Sequence, residues 1–397
     1  MEQLAVFGGK PVRETPLNYG RQYIDQADIE AVAEVLRSDS LTGGPKIAEL
    51  EERLCQVTGA RYAVAVCNGT AALHLAAIAA GFGEGDEVIV SSITFAASAN
   101  CVLYCGARPV FADINPETYN IDPASVESLI TSRTKGIVAV DFTGQAVEHE
   151  ALRRLCREHK LCLIEDAAHA LGTRYNGVPV GSLADMTCFS FHPVKTVTSG
   201  EGGAITTNDG QLYRRLVRLR THGITRNREE MANPSDAPWY NEQVELGFNY
   251  RMTDFQAALL LSQLGKLSLF SARRREIVEK YDAAFSRMPE LSVQKEIPES
   301  DTTRHLYILR IVPERLSCDR RQFFDALYAE NIHSQVHYLP VYWHSYYEGL
   351  GYGKGLCPNA EKYYNEVCSL PLYYSLTDED VEDVIRAVGK VCAYYRR

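Results

Sequence analysis

Apolar residues in the first half of the chain come in short runs separated by polar turns and helical segments. Seven runs predict β-strands: YAVAVC (62–67), EVIVSS (87–92), PVFADI (109–114), GIVAVD (136–141), LCLIED (161–166), MTCFSF (186–191) and GAITTN (203–208). Helical spacing of apolar residues predicts helices over 25–37, 46–58, 70–81, 123–131 and 148–160. Apolar strands alternating with helices are typical of a largely parallel sheet covered on both faces. We therefore predict an α/β fold with a mainly parallel seven-stranded sheet.

The rest of the chain is organised differently. Its start is rich in Gly and Pro, which indicates an extended arm. The polar stretch 225–243 predicts a long loop, either a lid or a mobile surface excursion. Two long helices, 254–270 and 271–285, then lead to mixed strand and helix signals. These patterns predict three parts: an N-terminal arm (1–24), a large domain (25–270) and a smaller C-terminal α+β domain (271–397).

Composition narrows the function classes. The 397 residues carry a net charge of -10, which argues against binding to nucleic acid or to an anionic membrane. A phosphorylated ligand remains possible, because backbone N–H groups bind phosphate whatever the global charge. No apolar run has the length of a signal peptide or a membrane span, so we expect a cytoplasmic protein. The 11 cysteines are scattered without a C-x-x-C pair, which favours reduced core thiols over disulfides or a metal site.

The candidate functional residues lie where the predicted strands end, since ligands bind at the carboxyl ends of parallel strands. Asn68, Gly69 and Thr70 follow the first strand and open a helix, as a phosphate site requires, although this is also an ordinary helix cap. Asp166 ends the strand 161–166, and His169 follows closely. A buried carboxylate needs a partner, such as the ring nitrogen of a cofactor. The alternative for Asp166 is a helix N-cap.

Lys195 completes this set. Ser190 ends the next strand, and Lys195 follows in a turn that contains Pro193, just before the small residues SGEGG. A lone loop lysine is usually solvated surface. Its position beside a phosphate turn and an acidic strand end favours another interpretation, in which Lys195 holds pyridoxal phosphate (PLP) as a Schiff base.

Several segments, in order, resemble those of one family. The segments DAAHALG (166–172), SFHPVKTVTSGEGGAI (190–205), HGITR (222–226) and NYRMTDFQAAL (249–259) are similar to the signatures of the DegT/DnrJ/EryC1/StrS sugar aminotransferases. The similarity runs from about Tyr19 to the C-terminal segment 357–381. It implies the fold type I architecture of PLP-dependent transferases and PLP as the cofactor.

The resemblance also implies roles for individual residues. Lys195 is expected to be the Schiff-base lysine and general base, Asp166 the partner of the ring nitrogen, and His169 a neighbour of the ring. We expect the remaining cofactor contacts at Phe95, which would stack on the ring, and at the phosphate-binding Gly69, Thr70 and Ser190. In the family, the residue matching Asn249 reaches the cofactor phosphate or the substrate of the neighbouring subunit, so Asn249 is expected to bind the cofactor there, which implies a homodimer with shared sites. Arg251 receives no role.

Within the family, the HGITR and QVHY segments most resemble enzymes that make the precursor of pseudaminic acid. This implies transfer of an amino group from L-glutamate to carbon 4 of UDP-2-acetamido-2,6-dideoxy-β-L-arabino-hexos-4-ulose. The implied substrate-binding residues are Tyr19, Asp39, Ser40, Leu41, Thr42, Gly69, Ser190, Asn249, Gln335, Val336, His337 and Tyr338. Leu339 stands where some relatives have a lysine, which leaves other nucleotide sugars open. For any single residue of the QVHY segment, an aromatic strand and turn in the core of the small domain is an alternative.

Four other functions are alternatives to amination of this UDP sugar. An aminotransferase of the same family could act on another keto sugar or a keto-cyclitol. A sugar dehydratase of this fold carries histidine in place of the lysine, so Lys195 argues against it. A non-catalytic regulatory protein of this fold is disfavoured by the intact Asp166, Lys195 and Ser190. A dinucleotide-binding oxidoreductase would need its glycine loop between a strand and a helix, whereas GFGEGD (81–86) follows a helix and precedes a strand.

Overall fold

The computed structural model describes residues 2–397, and its centre is a seven-stranded sheet. The strands are β1 (Tyr62–Val66), β2 (Glu87–Ser91), β3 (Arg108–Ala112), β4 (Thr134–Val140), β5 (Cys162–Asp166), β6 (Met186–Ser190) and β7 (Gly203–Thr207). Their spatial order is β1-β7-β6-β5-β4-β2-β3, and every neighbouring pair is parallel except the two that β7 makes. Each strand overlaps one of the seven predicted runs, and the predicted α/β class is confirmed.

Helices cover both faces of this sheet. In chain order, the α-helices of the described residues are α1 (Gln26–Leu36), α2 (Pro45–Thr58), α3 (Gly69–Ala79), α4 (Ala97–Tyr104), α5 (Pro123–Leu129), α6 (His149–His159), α7 (Gly210–Arg220), α8 (Asp254–Leu264), α9 (Leu267–Phe285), α10 (Arg320–Ala329), α11 (Ser345–Gly349), α12 (Pro358–Glu366) and α13 (Asp378–Tyr395), of which α10 and α13 pack in the C-terminal part. Side chains alternate between the faces along each strand. Ile164 packs with the face that α3 and α4 cover, whereas Leu163 packs with α5 and α6. Asp166 therefore faces α4, and Glu165 faces the other way.

The C-terminal part has its own antiparallel sheet. Its strands, in spatial order, are β8 (Leu291–Val293), β9 (Tyr307–Ile311) and β10 (Val367–Leu370). Apolar residues of α9, α10 and α13 complete the core of this part, and Leu4 and Leu17 of the N-terminal arm are buried in it. The arm also contributes a short strand, Leu17–Asn18, that pairs in parallel with Ile332–His333. The arm and the C-terminal part therefore share one core.

Some predicted elements differ in the structure. The break between the two long helices lies at Gly265 and Lys266, not between residues 270 and 271. Glycine is a poor helix former, which explains a break at this position. The proposed boundary between the large and small domains consequently falls inside α9. The helices α4, α7, α10, α11 and α12 were not predicted individually.

The predicted loop at 225–243 is mostly irregular. It is closed at its base by the antiparallel strands Ile224–Thr225 and Glu242–Gln243, and it contains one 3-10 turn at Arg228–Glu230. The side chain of Trp239 is 80% exposed within it. The segment is therefore a surface excursion fixed at both ends by backbone pairing. Separately, none of the helices formed by residues 2–397 is both long enough and apolar enough to cross a bilayer.

Candidate active site

A cavity of about 500 Å³ opens at the carboxyl ends of β1, β5 and β6. The predicted site residues that line it are Tyr19, Gly69, Thr70, Phe95, Asp166, His169, Ser190, Lys195, His337 and Tyr338. Most of them follow strands of the large sheet. Tyr19 comes from the arm, and His337 and Tyr338 come from the C-terminal part. The cavity thus lies between the sheet and the unit formed by the arm and the C-terminal part.

The start of α3 forms one end of the cavity. The Asn68 side chain caps the helix by accepting a hydrogen bond from the Ala71 N–H at 2.8 Å. A Cβ atom on Gly69 would lie only 2.8 Å from Ser190 Cβ, so glycine permits the close approach of the Ser190 segment to the helix. Free N–H groups at a helix start and a nearby hydroxyl suit a phosphate. This end of the cavity can therefore hold an anionic group.

Asp166 lies in the wall at the end of β5. Its carboxylate accepts hydrogen bonds from Ser98 Oγ at 2.6 Å and from the Ala168 N–H at 3.1 Å. Burial raises the pKa of Asp166, while these two hydrogen bonds and the nearby Lys195 act in the opposite direction. A buried carboxylate of this kind favours a cationic partner, such as a protonated ring nitrogen.

Lys195 reaches the cavity from a turn after β6. Its own N–H donates to the His192 carbonyl at 2.9 Å, which fixes the turn. Burial lowers the pKa of the Lys195 amine to about 8, although the Asp166 carboxylate acts to raise it. A lysine with a depressed pKa has a larger neutral fraction and is a better nucleophile towards a carbonyl carbon.

Three histidines form another part of the wall. The rings of His169 and His305 lie 4.4 Å apart, and the Tyr338 hydroxyl lies 3.5 Å from His169 Nε2. His337 contacts Ser369 Oγ through Nδ1 at 2.7 Å. Burial is the main cause that lowers the pKa of these histidines, and the nearby Lys195 adds to it. The pKa of His169 and His305 falls well below the usual range, and that of His337 falls to about 3. These imidazoles are therefore neutral at pH 7 and add no positive charge beside Lys195.

Sequence reasoning missed two groups in or beside this wall. Ser98 donates to Asp166, and it lies in α4, which the apolar spacing did not predict. His305 lines the cavity, and its Nδ1 is buried with no hydrogen-bond partner among the described residues. It precedes β9, separated from it by one residue, in the segment HLYILRIV. No motif in the single sequence distinguishes it from a core histidine.

The other predicted substrate-binding residues do not line this cavity. They are Asp39, Ser40, Leu41, Thr42, Asn249, Gln335 and Val336. Thr42 pairs with Thr253, and the Asp254 N–H donates to the Leu41 carbonyl at 2.9 Å, so the segments 39–42 and 249–254 lie together. Asn249 is exposed. Gln335 and Val336 directly precede the two cavity residues His337 and Tyr338.

Known proteins of similar sequence and structure match this chain over most of its length. The model of the DegT/DnrJ/EryC1/StrS aminotransferase family matches residues 22–389. Spore coat polysaccharide biosynthesis protein SpsC of Bacillus subtilis is 41% identical over 377 residues, which are 94% of this chain and 97% of that protein. The UDP-4-amino-4,6-dideoxy-N-acetyl-β-L-altrosamine transaminase of Campylobacter jejuni is 38% identical over 371 residues, 93% of this chain and 95% of that protein. The solved structure of Helicobacter pylori PseC, an aminotransferase involved in the biosynthesis of pseudoaminic acid, has a TM-score of 0.89 at 33% identity and covers 96% of this chain and 100% of that one.

Proposed function

Because this chain belongs to the DegT/DnrJ/EryC1/StrS aminotransferase family, we propose that it moves the amino group of L-glutamate to carbon 4 of UDP-2-acetamido-2,6-dideoxy-β-L-arabino-hexos-4-ulose. The general class is not in question: the chain is a PLP-dependent sugar aminotransferase. The donor and the individual sugar are the proposal. They are supported by the similarity to the Campylobacter jejuni transaminase and to PseC.

One observation supports the chemistry most directly. A lysine amine with a pKa of about 8, a buried carboxylate and a free helix N-terminus line the same cavity of about 500 Å³. These are the three groups that PLP needs: an amine for its aldehyde, an anion for its ring nitrogen and N–H groups for its phosphate. The residues present therefore fit this cofactor.

Each group would contribute a separate contact. We assign Lys195 Nζ to the cofactor aldehyde, Asp166 to the ring nitrogen and His169 to a place beside the ring. Gly69, Thr70 and Ser190 would hold the phosphate at the start of α3. Phe95 is 63% exposed at the cavity edge, where its ring can cover the other face of a bound planar group.

The reaction requires controlled proton transfer. When bound, PLP supplies an electron sink that lets a proton leave the carbon bearing the donor nitrogen. We assign the removal of that proton from the donor α-carbon to neutral Lys195 Nζ, which later delivers a proton to carbon 4 of the sugar. Asp166 would keep the ring nitrogen protonated throughout. The overall exchange converts glutamate and the keto sugar into 2-oxoglutarate and the amino sugar.

The remaining predicted residues would bind the nucleotide sugar. Tyr19, His337 and Tyr338 line the side of the cavity opposite the sheet, where an incoming sugar would lie. Asn249 and the segment 39–42 do not line the cavity, and Asp39, Leu41, Thr42 and Asn249 are exposed. We propose that they complete the site of a second subunit in a homodimer.

A second candidate is amination of a different nucleotide sugar by the same chemistry. The 41% identity to SpsC and the presence of Leu339, where some relatives have a lysine, favour keeping this candidate. Both candidates predict the same Lys195 and Asp166 chemistry, so only the substrate separates them.

The test begins with holoenzyme that glutamate has converted to its amine-carrying form. That form is then mixed with a panel of 4-keto nucleotide sugars, UDP-linked and dTDP-linked, and the return of the visible absorbance of the Lys195-bound cofactor is followed. We expect the L-arabino UDP sugar to react fastest and to give the 4-amino product by NMR. Faster reaction of another keto sugar would refute the substrate assignment, and absence of reaction with the whole panel would point to a keto acceptor outside it, such as a keto-cyclitol. Lys195→Ala is the control without proton transfer.

A further inference from the structure

The first residues of the arm are fixed to the C-terminal part by a buried ion pair. Lys390 of α13 lies 3.0 Å from the Glu330 carboxylate, and the two side chains are only 4% and 0% exposed. Lys390 Nζ also donates to the Lys10 carbonyl at 2.7 Å. The Glu330 carboxylate accepts from the N–H groups of Ala5 and Val12, each at 2.9 Å. The pair therefore holds three backbone groups of the arm.

Burying two charges costs desolvation free energy, which is offset only when the remaining hydrogen-bonding groups of both side chains are satisfied. Here both oxygens of Glu330 accept a backbone N–H, and the ammonium donates to a carbonyl as well as to the carboxylate. Removing either Glu330 or Lys390 would leave the other charge buried without its partner. It would also weaken the hydrogen bonds that the pair makes to the arm backbone. The contact therefore depends on both side chains.

The same arm continues to the candidate active site. Asn331 Nδ2 donates to the Arg13 carbonyl at 2.8 Å, and the Leu17 N–H donates to the Asn331 carbonyl at 2.9 Å. The strand Leu17–Asn18 then pairs with Ile332–His333, and the Leu372 N–H donates to the Tyr19 carbonyl at 3.1 Å. The Tyr19 ring reaches the cavity at 5.3 Å from the ring of His337.

Glu330 connects the arm with the end of helix α10. It caps the end of α10 and precedes the segment that brings His337 and Tyr338 into the cavity. One carboxylate thus ties together the arm that carries Tyr19 and the start of the segment that carries His337. Cofactor-side residues such as Lys195 and Asp166 belong to the large sheet and are not held by it.

We propose that Glu330 and Lys390 are positioning residues that hold Tyr19 and the His337 segment in register for the nucleotide sugar. This inference deepens the proposed function and rests on Tyr19 as a substrate-binding residue. Loss of the pair should weaken reaction with the sugar while leaving reaction with glutamate nearly unchanged. A purely structural role would affect both half-reactions together.

The test uses holoenzyme with Glu330→Gln and, separately, Lys390→Met. In Glu330→Gln an amide N–H₂ replaces one of the two accepting oxygens, so one arm N–H loses its acceptor. We expect hydrogen exchange of the Ala5 and Val12 amides to accelerate by about tenfold or more. The KM for the keto sugar should rise by about tenfold, while the single-turnover rate with glutamate should stay within about twofold.

Glu290→Gln is the matched control. Glu290 is also a buried carboxylate of the C-terminal part, 3% exposed and paired with Arg396 at 2.5 Å, but it holds no arm residue. We expect it to leave arm exchange and the KM for the sugar unchanged. Lys390→Met should have a smaller effect in the Tyr19→Ala background than in the wild-type enzyme, since part of its effect acts through the Tyr19 side chain.

The proposal is overturned if arm exchange is unchanged in both variants, if the glutamate and sugar half-reactions fall equally, or if the double variant is fully additive. If one variant does not fold, the other provides the same measurements. Failure of the wild-type enzyme to aminate the proposed keto sugar would instead refute the substrate assignment. The exchange data are independent of that outcome, because they need no substrate.

Discussion

At the residue scale, Lys195 must be uncharged to react, and its surroundings favour that state. Burial lowers the pKa of its amine from 10.5 to about 8, with Asp166 partly opposing the shift. Desolvation disfavours the charged form, so the neutral fraction grows as pH rises through 8 instead of near 10. A residue that is unremarkable by sequence position alone therefore becomes a nucleophile close to physiological pH.

We expect the rate at which cofactor-free enzyme takes up PLP to rise with pH through a midpoint near 8, because only the neutral amine attacks the aldehyde. Stopped-flow absorbance from about pH 6 to about pH 10 measures this rate, with a blocked lysine in solution as the reference. In Asp166→Asn the midpoint should move to lower pH, since the anion that raises the pKa of Lys195 is gone. A midpoint equal to that of the free lysine would contradict the role of burial.

Residues at strand ends could be predicted from the sequence because parallel strands bring their carboxyl ends to one edge. Asp166, Ser190 and Lys195 indeed line one cavity. Ser98 and His305 could not be predicted in the same way. They come from α4 and from the C-terminal part, and only the folded chain brings them to the site. Asp166 has a hydrogen-bond donor in Ser98 that no local spacing indicates.

At the scale of elements, two strand ends and a helix start bury three titratable groups on the face of the sheet opposite Asp166. Asp141 follows β4, Glu165 lies in β5 and His149 begins α6. His149 Nε2 lies 2.6 Å from Glu165 Oε1, and all three residues offer atoms within 4.8 Å of one another. Burial and the adjacent Glu165 raise the pKa of Asp141 well above its usual value. Burial also acts to raise the pKa of Glu165, but the contacts with His149, Thr187 and Asp141 together outweigh it and the net shift is downward.

The two shifts run in opposite directions and favour a proton on Asp141 and none on Glu165, so we expect matched substitutions to differ in their cost. Asp141→Asn should change the free energy of unfolding by less than about 1 kcal/mol, because an amide replaces a neutral acid. Glu165→Gln should cost about 3 kcal/mol, because it removes one partner of a buried charged contact. Chemical denaturation of both variants at neutral pH measures these changes. Equal losses would show that the proton is not where we place it.

The strands could be predicted because strands buried in a parallel sheet are nearly continuous apolar runs. Helix α4 could not be predicted in this way, because it has no separate apolar and polar faces. Its buried residues face several directions and include Ala97, Ser98, Ala99, Cys101 and Val102. Helix α7 had a usable signal in Leu212, Leu216 and Leu219 after the capping Asp209, and it was overlooked.

At the scale of the whole molecule, the cavity of one chain does not include Asn249 or the segment 39–42. These segments lie together through the pairing of Thr42 with Thr253, and Asn249 is exposed. The sequence resemblance implied that Asn249 serves a neighbouring subunit, and its place outside the cavity is compatible with that proposal. Contacts between chains cannot be deduced from apolar periodicity, which reports burial within one chain.

Coexpression of differently tagged Lys195→Ala and Asn249→Ala chains tests the shared site. Each homodimer should be nearly inactive, whereas a mixed dimer has one site with both defects and one with neither. Random pairing makes about half of the dimers mixed, so about a quarter of wild-type activity should return. In the control pair, Lys195→Ala with Ser190→Ala, each substitution disables the cavity of the chain that carries it, so both sites of a mixed dimer are defective and activity should not recover. Absence of recovery in the first pair would contradict a shared site.

The most direct test of the central claim is the position of the covalent link to the cofactor. Holoenzyme is reduced with borohydride, digested and mapped by mass spectrometry, with Lys195→Ala treated in parallel. We expect the mass of a phosphopyridoxyl group on the peptide that contains Lys195 and on no other lysine peptide, and no modified peptide from the variant. A phosphopyridoxyl group on a different lysine, or none on an enzyme that still turns over, would contradict the assignment of Lys195.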